Sequence, residues 1–348
     1  MRFADIHAQE NTVQAIKTSI RNKKVVHAYL FTGLRGCGKT STAMAMACAL
    51  NCDSPAEDGD ACGICLSCRR IESGNDPDVI IVRPDGNQTK IDDLRQMIDK
   101  LRFAPLSGKY ITVIIEQADT LNASSENSIL KILEEPPDYA VLILLSSNPE
   151  TLLPTIRSRC RKVRFRTAGF EETLNYLKEH TDLSDDDARI IGACSQGLIG
   201  KASELVSDPR FMQERAAVLQ KLADWSSGPD VMGLTLAESM RAMAESKKKN
   251  DPDVRTRVRR LSTMLEYILS WYADILTVKV HGDSAFISNK DHEGTLRYLA
   301  GIYSIGRLTL AVRVIMDSRR YLEGNITPQL VLENMFFEIR PDHLEVGR

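Results

Sequence analysis

No apolar run in this sequence is long enough to cross a bilayer, which takes about 20 residues in helical form. The longest, such as Tyr110 to Ile115 and Val141 to Leu145, are only as long as a strand. The opening residues MRFADIHAQE lack the apolar stretch of a secretory signal. The expectation is an intracellular, cytoplasmic protein with no membrane partner. Neither sign of charge dominates: 45 basic residues stand against 47 acidic ones. No global positive field draws such a chain onto nucleic acid or anionic lipid, so any DNA contact must be local. Repeats at a solenoid period and low-complexity segments are also missing.

A chain of 348 residues with 43% hydrophobic content can bury more than one core. Over residues 1–165, β-rich runs at Ala28 to Phe31, Val79 to Val82, Ile111 to Ile115 and Val141 to Leu145 alternate with helical patterns. That alternation predicts an α/β domain with a parallel sheet, and ligand chemistry at the carboxyl ends of its strands. Residues 166–207 read as a small lid of three short helices, at Glu171 to Glu179, Ser184 to Ser195 and Gly200 to Val206. Residues 208–348 read as an all-helical domain, with amphipathic stretches at Met212 to Trp225, Val254 to Val280 and Thr309 to Glu323. Gly228-Pro229 and Asp251-Pro252 break them.

The string Gly33-Leu34-Arg35-Gly36-Cys37-Gly38-Lys39-Thr40 fits the phosphate-loop template. An apolar strand precedes it, and the helix-forming run Ser41 to Leu50 follows. Gly33, Gly36 and Gly38 let the backbone curl so that its N–H groups, with those of Arg35, Cys37 and Ser41, face a phosphate. Lys39 supplies a point charge and Thr40 a ligand for magnesium. ATP or ADP with Mg2+ is the expected cofactor; the competing reading is a glycine-rich turn that binds nothing.

The run Tyr110 to Ile115 leads into Glu116-Gln117-Ala118-Asp119, where such folds hold magnesium and activate water. Glu116 reaches a metal as an Asp would. Gln117 orients a water but does not accept its proton at neutral pH. Binding without efficient hydrolysis follows. Asp119 is either a substitute acid or a helix N-terminal one.

Cys52, Cys62, Cys65 and Cys68 place four thiols within residues 52–68, with Gly59 and Gly63 letting the chain fold back. Four soft ligands at this spacing suit a structural tetrahedral Zn2+, with a redox pair or an iron–sulfur centre as alternatives. Cys37, Cys48, Cys160 and Cys194 read as packing.

His27-Ala28-Tyr29-Leu30-Phe31, GLRGCGKTSTA, Ala49-Leu50-Asn51-Cys52, Leu130-Lys131-Ile132-Leu133-Glu134-Glu135-Pro136-Pro137 and Ser158-Arg159-Cys160 together resemble the bacterial DNA polymerase III clamp loader subunits, AAA+ proteins. The resemblance is detailed over residues 1–207 and looser beyond, through Trp271 to Leu276. It implies a hetero-pentameric ring with the other loader subunits, a sliding clamp and primer-template DNA as partners, and an all-α collar. It also implies Arg159 as an arginine finger acting on nucleotide held by a neighbour, and Asn148 as a sensor of the γ-phosphate or attacking water. The simpler readings are a local ion pair for Arg159 and an Asn-Pro turn for Asn148.

Of the two subunit types that share these strings, Gln117 departs from the gamma/tau motor. Ser146 to Pro149, Leu153 to Arg157 and the absence of a long tail look more like delta prime. The intact Lys39-Thr40 departs from those delta prime proteins whose loop has decayed. Where a second sensor arginine is expected, the lid offers Gly200-Lys201. A AAA+ repair or remodelling factor is the reading from outside replication. Met264, Tyr267, Ile268 and Trp271 read as core. Lys247 to Lys249 and Arg255 to Arg260 form a basic stretch whose plain reading is a solvated loop and helix face, with a DNA contact as the alternative, and Arg95, Lys100 and Arg102, after the second strand, are candidates for touching template phosphates.

Overall fold

The computed structural model describes residues 1–84, 89, 91–226, 228, 232–245, 254–282, 286–324 and 326–340. Lys247 to Lys249, Pro229 and the Asp251-Pro252 pair lie outside them. The chain divides into two units, Met1–Thr181 with Ser195–Ser203, and Asp182–Cys194 with Glu204–Arg348.

In the first unit, helix α1 (Glu10–Arg21) leads to strand β1 (Ala28–Thr32) and helix α2 (Lys39–Asn51). A short helix α3 (Leu66–Glu72) precedes β2 (Val79–Val82) and α4 (Ile91–Lys100). The chain then runs through β3 (Ile111–Ile115), α5 (Ala123–Glu134), β4 (Ala140–Ser146), α6 (Pro154–Arg159), β5 (Arg161–Arg164) and α7 (Phe170–His180). The strands form one parallel sheet in the order β2-β3-β4-β1-β5, with Leu30 opposite Leu144 and Val113 opposite Leu142.

Strands β3 and β4 are buried on both faces, as parallel strands covered by helices must be, and so read as unbroken Val, Ile and Leu runs. Side chains alternate between two cores. Tyr29, Phe31, Ile114, Ile143 and Leu145 meet α2, whereas Leu30, Val113, Ile115, Leu142 and Leu144 meet residues of α4, α5 and α6. Each such side chain, taken fully out of water, contributes about 1.5–3 kcal/mol. The four expected strands are present. The fifth, Arg161-Lys162-Val163-Arg164, is an edge strand whose charged residues hide it from an apolar pattern.

In the second unit, helix α8 (Asp185–Ser195) is opened by Ser184, whose Oγ accepts from Asp187 N–H at 3.1 Å. Helix α9 (Ile199–Ser207) spans the division between the units. Then come α10 (Phe211–Ser226), α11 (Met232–Ala244), α12 (Val254–His281), α13 (Glu293–Ile302), α14 (Ile305–Glu323) and α15 (Pro328–Glu338). Met264, Tyr267, Ile268 and Trp271 on α12 are buried as expected of a core stripe. Arg215 is buried too, held by Asp291 at 2.7 Å and Asn289 at 2.6 Å. Among the described residues no single helix is long and apolar enough to cross a membrane.

Candidate functional site

The loop between β1 and α2 has the shape that its glycines permit. Gly36 and Gly38 sit at φ +87° and +96°, in the region that side chains avoid. A Cβ on Gly33 would stand 2.7 Å from the Phe165 carbonyl oxygen, so that position has no room for one. Lys39, at the start of α2, is buried and donates to the carbonyls of Gly33 and, at 2.8 Å, Leu34. Burial pushes its ammonium below the usual lysine range, with Cys37 and Asp119 pulling the other way. Thr40 and Arg35 are exposed, Ser41 is half-buried, and Cys37 is buried with its thiol pushed up by that burial. A ring of backbone N–H groups at a helix start, closed by one lysine, fits a phosphate chain.

Two contacts beyond the template hold this loop. Gln9, buried just before α1, donates from Nε2 to the carbonyls of Cys37 at 3.2 Å and Arg166 at 2.7 Å. It thereby ties the phosphate loop to the exit of β5. From the lid side, Gly200 N–H donates to the Gly36 carbonyl at 2.9 Å. The position offering Gly200-Lys201 in place of an arginine is therefore against the loop. Gln9 carried no signal in the sequence, because a buried amide looks like any surface glutamine until its partners are known.

At the carboxyl end of β3, Glu116 is paired with Arg83 at 3.4 Å. Gln117 occupies the left-handed region at φ +48°. Asp119, in the 3-10 turn Ala118–Thr120, accepts from Ser147 N–H at 3.0 Å and so joins the ends of β3 and β4. It is also a carboxylate whose field reaches Lys39. The neighbouring Asn148 is exposed; its carbonyl accepts from Thr151 Oγ1 at 2.8 Å, the turn that Asn-Pro forms.

Arg159 closes α6, away from this chain's own loop in sequence. Its guanidinium donates to the Thr155 carbonyl at 3.0 Å and pairs with Glu134 at 2.8 Å. The local carboxylate partner is thus present. Buried Glu126 accepts from Leu153 N–H at 2.9 Å and fixes the start of the same helix against α5.

Cys52, Cys62, Cys65 and Cys68 bring their sulfurs within 4.8 Å of one another, with Cys52 and Cys65 4.0 Å apart. Tetrahedral zinc with bonds of about 2.3 Å sets sulfurs roughly 3.8 Å apart, so the set fits a metal ion. Backbone N–H groups of Ile64 and Cys65 draw the Cys62 thiol down to about 6, while burial raises Cys52 and Cys68. The module is anchored by Asp60, which accepts from the N–H groups of Phe3, Ala4 and Ala61 at 2.9, 3.0 and 2.7 Å. Asn51 likewise holds the end of α2 to the start of β3, accepting from Tyr110 N–H and donating to its carbonyl, both at 2.9 Å.

A parallel sheet in this order, with a glycine-lined cradle after β1 and polar residues at the ends of β3 and β4, defines a phosphate-loop protein of the AAA+ class. Family models described as "DNA polymerase III, delta subunit" and "DNA polymerase III, delta subunit, C terminal" match residues 8–169 and 209–340. The DNA polymerase III subunit delta' of Bacillus subtilis is 26% identical, and the match covers 94% of each chain. The tau subunit of Escherichia coli is 32% identical over 58% of this chain and 32% of its own length. For the tau/gamma subunit of Haemophilus influenzae the figures are 37%, 61% and 31%. The chain spans about a third of the length of these tau relatives. It belongs to the family of DNA polymerase III clamp loader subunits.

Proposed function

We propose that this chain is a delta prime-type subunit of a cytoplasmic clamp loader, binding ATP or ADP but lending its chemistry to a neighbour. In this reading residues 1–165 form the nucleotide-binding domain, 166–207 its lid and 208–348 a collar within a hetero-pentameric ring. The ring loads a sliding clamp onto primer-template DNA. The backbone of Gly33 to Ser41 and the Lys39 ammonium hold the phosphates. Thr40, Glu116 and Asp119 are the oxygens available to Mg2+, which when bound offsets phosphate charge. Zinc on Cys52, Cys62, Cys65 and Cys68 is structural.

The observation that carries this reading is Gln117. The cradle is intact, yet the residue following Glu116 is an amide that holds a water without taking its proton. Turnover in the assembled ring then depends on Arg159, exposed at the end of α6 and presented to nucleotide on the adjacent subunit, where it stabilises charge on the transferring phosphoryl group. The match to the Bacillus subtilis delta' protein along its length agrees with this assignment. A gamma/tau-type motor is the second reading, supported by the complete phosphate loop and by Asp119 beside it.

Reconstitution with a separate motor subunit tests the proposal. Arg159→Ala is expected to lower ring ATPase by about 10³-fold or more, the scale of arginine fingers, and to abolish clamp loading. Brisk ATP hydrolysis by the isolated chain, or an unimpaired ring with Arg159→Ala, would sink it.

A further inference from the structure

Edge strand β5 and helix α1 enclose a groove of about 230 Å³ lined by Asn11, Thr12, Ser19, Tyr29, Arg161 and Lys162. Arg161, Lys162 and Arg164 are exposed, as are Lys23 and Lys24 just beyond α1. Lys24 adjoins the groove through Ser19, whose Oγ donates to the Lys24 carbonyl at 2.6 Å. Among the described residues none of these five cations has a carboxylate within ion-pair distance. Several other exposed basic positions are neutralised in place. Arg95 pairs with Asp92, Arg102 with Asp99, Arg259 with Glu204 and Arg260 with Glu214. In a chain with a net charge of −2, the β5 edge gathers several such cations beside one groove, and uncompensated cations beside hydroxyl and amide donors suit phosphate oxygens.

We infer that the β5–α1 groove and the strand edge beside it bind the phosphodiester backbone of nucleic acid, through Arg161 and Lys162 in the groove and Arg164 at the end of the strand. This rests on the clamp loader reading only for the choice of DNA as the polyanion. An acidic peptide added as a further strand is the poorer occupant. Phe165 N–H donates inward to Thr32, so by alternation the outward backbone groups of β5 belong to Lys162 and Arg164. The Arg164 carbonyl is already taken by Thr12 Oγ1 at 3.1 Å. Too few backbone groups remain for a strand to pair with, whereas the side-chain charge is uncommitted.

The test is fluorescence anisotropy of a labelled primer-template duplex with the full chain, across a salt series. The triple variant Arg161→Ala/Lys162→Ala/Arg164→Ala is expected to bind at least about tenfold more weakly at low salt, and its plot of log K against log salt is expected to flatten by about 2.7, or 0.9 for each phosphate no longer neutralised. Lys162→Gln alone, at an exposed site that leaves the fold intact, is expected to flatten it by about 0.9. Arg95→Ala/Arg102→Ala is expected to change neither quantity. Unaltered affinity and slope in the triple variant overturn the inference. So does a triple variant that keeps DNA binding but loses binding of poly-glutamate, which would assign the groove to an acidic protein partner. Because the readout is DNA affinity of the chain alone, its failure is separate from failure of the Arg159 test.

Discussion

The guanidinium of Arg159 lies 2.8 Å from Glu134, which tethers the last residue of α6 to the last residue of α5. Both side chains are well exposed, at 36% and 51%, and an ion pair of this kind is worth about 0–1 kcal/mol. The tether therefore holds the arginine without committing it, and in the proposed ring a phosphate on a neighbouring subunit would displace Glu134 at little cost. Glu134→Gln is expected to change unfolding free energy by less than about 1 kcal/mol and to leave ring ATPase unchanged or higher. Arg159→Lys is expected to lower that ATPase, because a point charge does not reproduce the planar fork. If Glu134→Gln damages turnover as much as Arg159→Ala does, the pair is a structural clasp.

Lys39 separates binding from stability. Its ammonium is buried against the carbonyls of its own loop and is held below the ordinary lysine range by that burial, so the folded state disfavours its charge. Lys39→Met removes a charged hydrogen-bond donor to phosphate, an interaction of about 1.5–3 kcal/mol, and is expected to weaken nucleotide binding on the order of tenfold to a hundredfold. Calorimetric titration with ADP reads the first effect. Thermal unfolding without nucleotide is expected to give a midpoint no lower than that of the unaltered chain.

The acids at the end of β3 divide the two readings of the chain. Gln117→Glu supplies a proton acceptor where the amide now stands, and general-base catalysis contributes about 10²–10⁴-fold where geometry is right. A gain of at least tenfold in ATPase of the isolated chain is expected. Asp119→Asn keeps the acceptor for Ser147 N–H and removes the charge whose field reaches Lys39. It is expected to weaken magnesium-dependent nucleotide binding while leaving hydrolysis low. If hydrolysis is already fast and Asp119→Asn abolishes it, Asp119 is the working acid and the chain is a motor.

Much of this arrangement was legible in the sequence because its signals are local. The phosphate loop is set by glycines at fixed spacing, and buried parallel strands show as apolar runs. The cysteine cluster shows the same way, its four sulfurs meeting as their spacing implies. What stayed hidden depends on partners distant in sequence. Strand β5 is polar because it is an edge. Gln9, Asn51 and Asp60 act through backbone groups up to 157 residues away, and no periodicity marks them. The pairing of Glu116 with Arg83 was equally invisible, because Arg83 follows a different strand.

Asp60 links the cysteine module to the N-terminal segment. Its carboxylate satisfies three backbone N–H groups, two of them in the turn Phe3–Asp5. Asp60→Ala leaves buried donors without a partner, an expected loss of about 1–3 kcal/mol, read by denaturant unfolding. Cys68→Ser, which removes a buried ligand, is expected to release zinc measured by elemental analysis and to lower the unfolding midpoint by on the order of 5 °C. A Cys68→Ser protein with full zinc content and an unchanged midpoint would show that the four thiols do not hold metal.

Arg166 leaves β5 and meets Glu172 in the first turn of α7 at 2.6 Å, and the same carboxylate accepts from Gly169 N–H at 2.6 Å. Arg166, then the Gly169 N–H, draw the Glu172 carboxyl down to about 2 from an ordinary 4.5. A carboxyl that binds its proton less readily when folded stabilises the fold above its ordinary range, and that stabilisation is lost as pH falls from about 4.5 toward 2. Both side chains are exposed to solvent, which screens the pair, so the contribution is kept below about 1 kcal/mol. Glu172→Gln retains an acceptor for Gly169 but not the charge. The gap in unfolding free energy between it and the unaltered chain is expected to be constant above pH 5 and to close as pH approaches 2. A gap that persists undiminished at the acid end would mean that packing, and not the ion pair, holds the start of the lid.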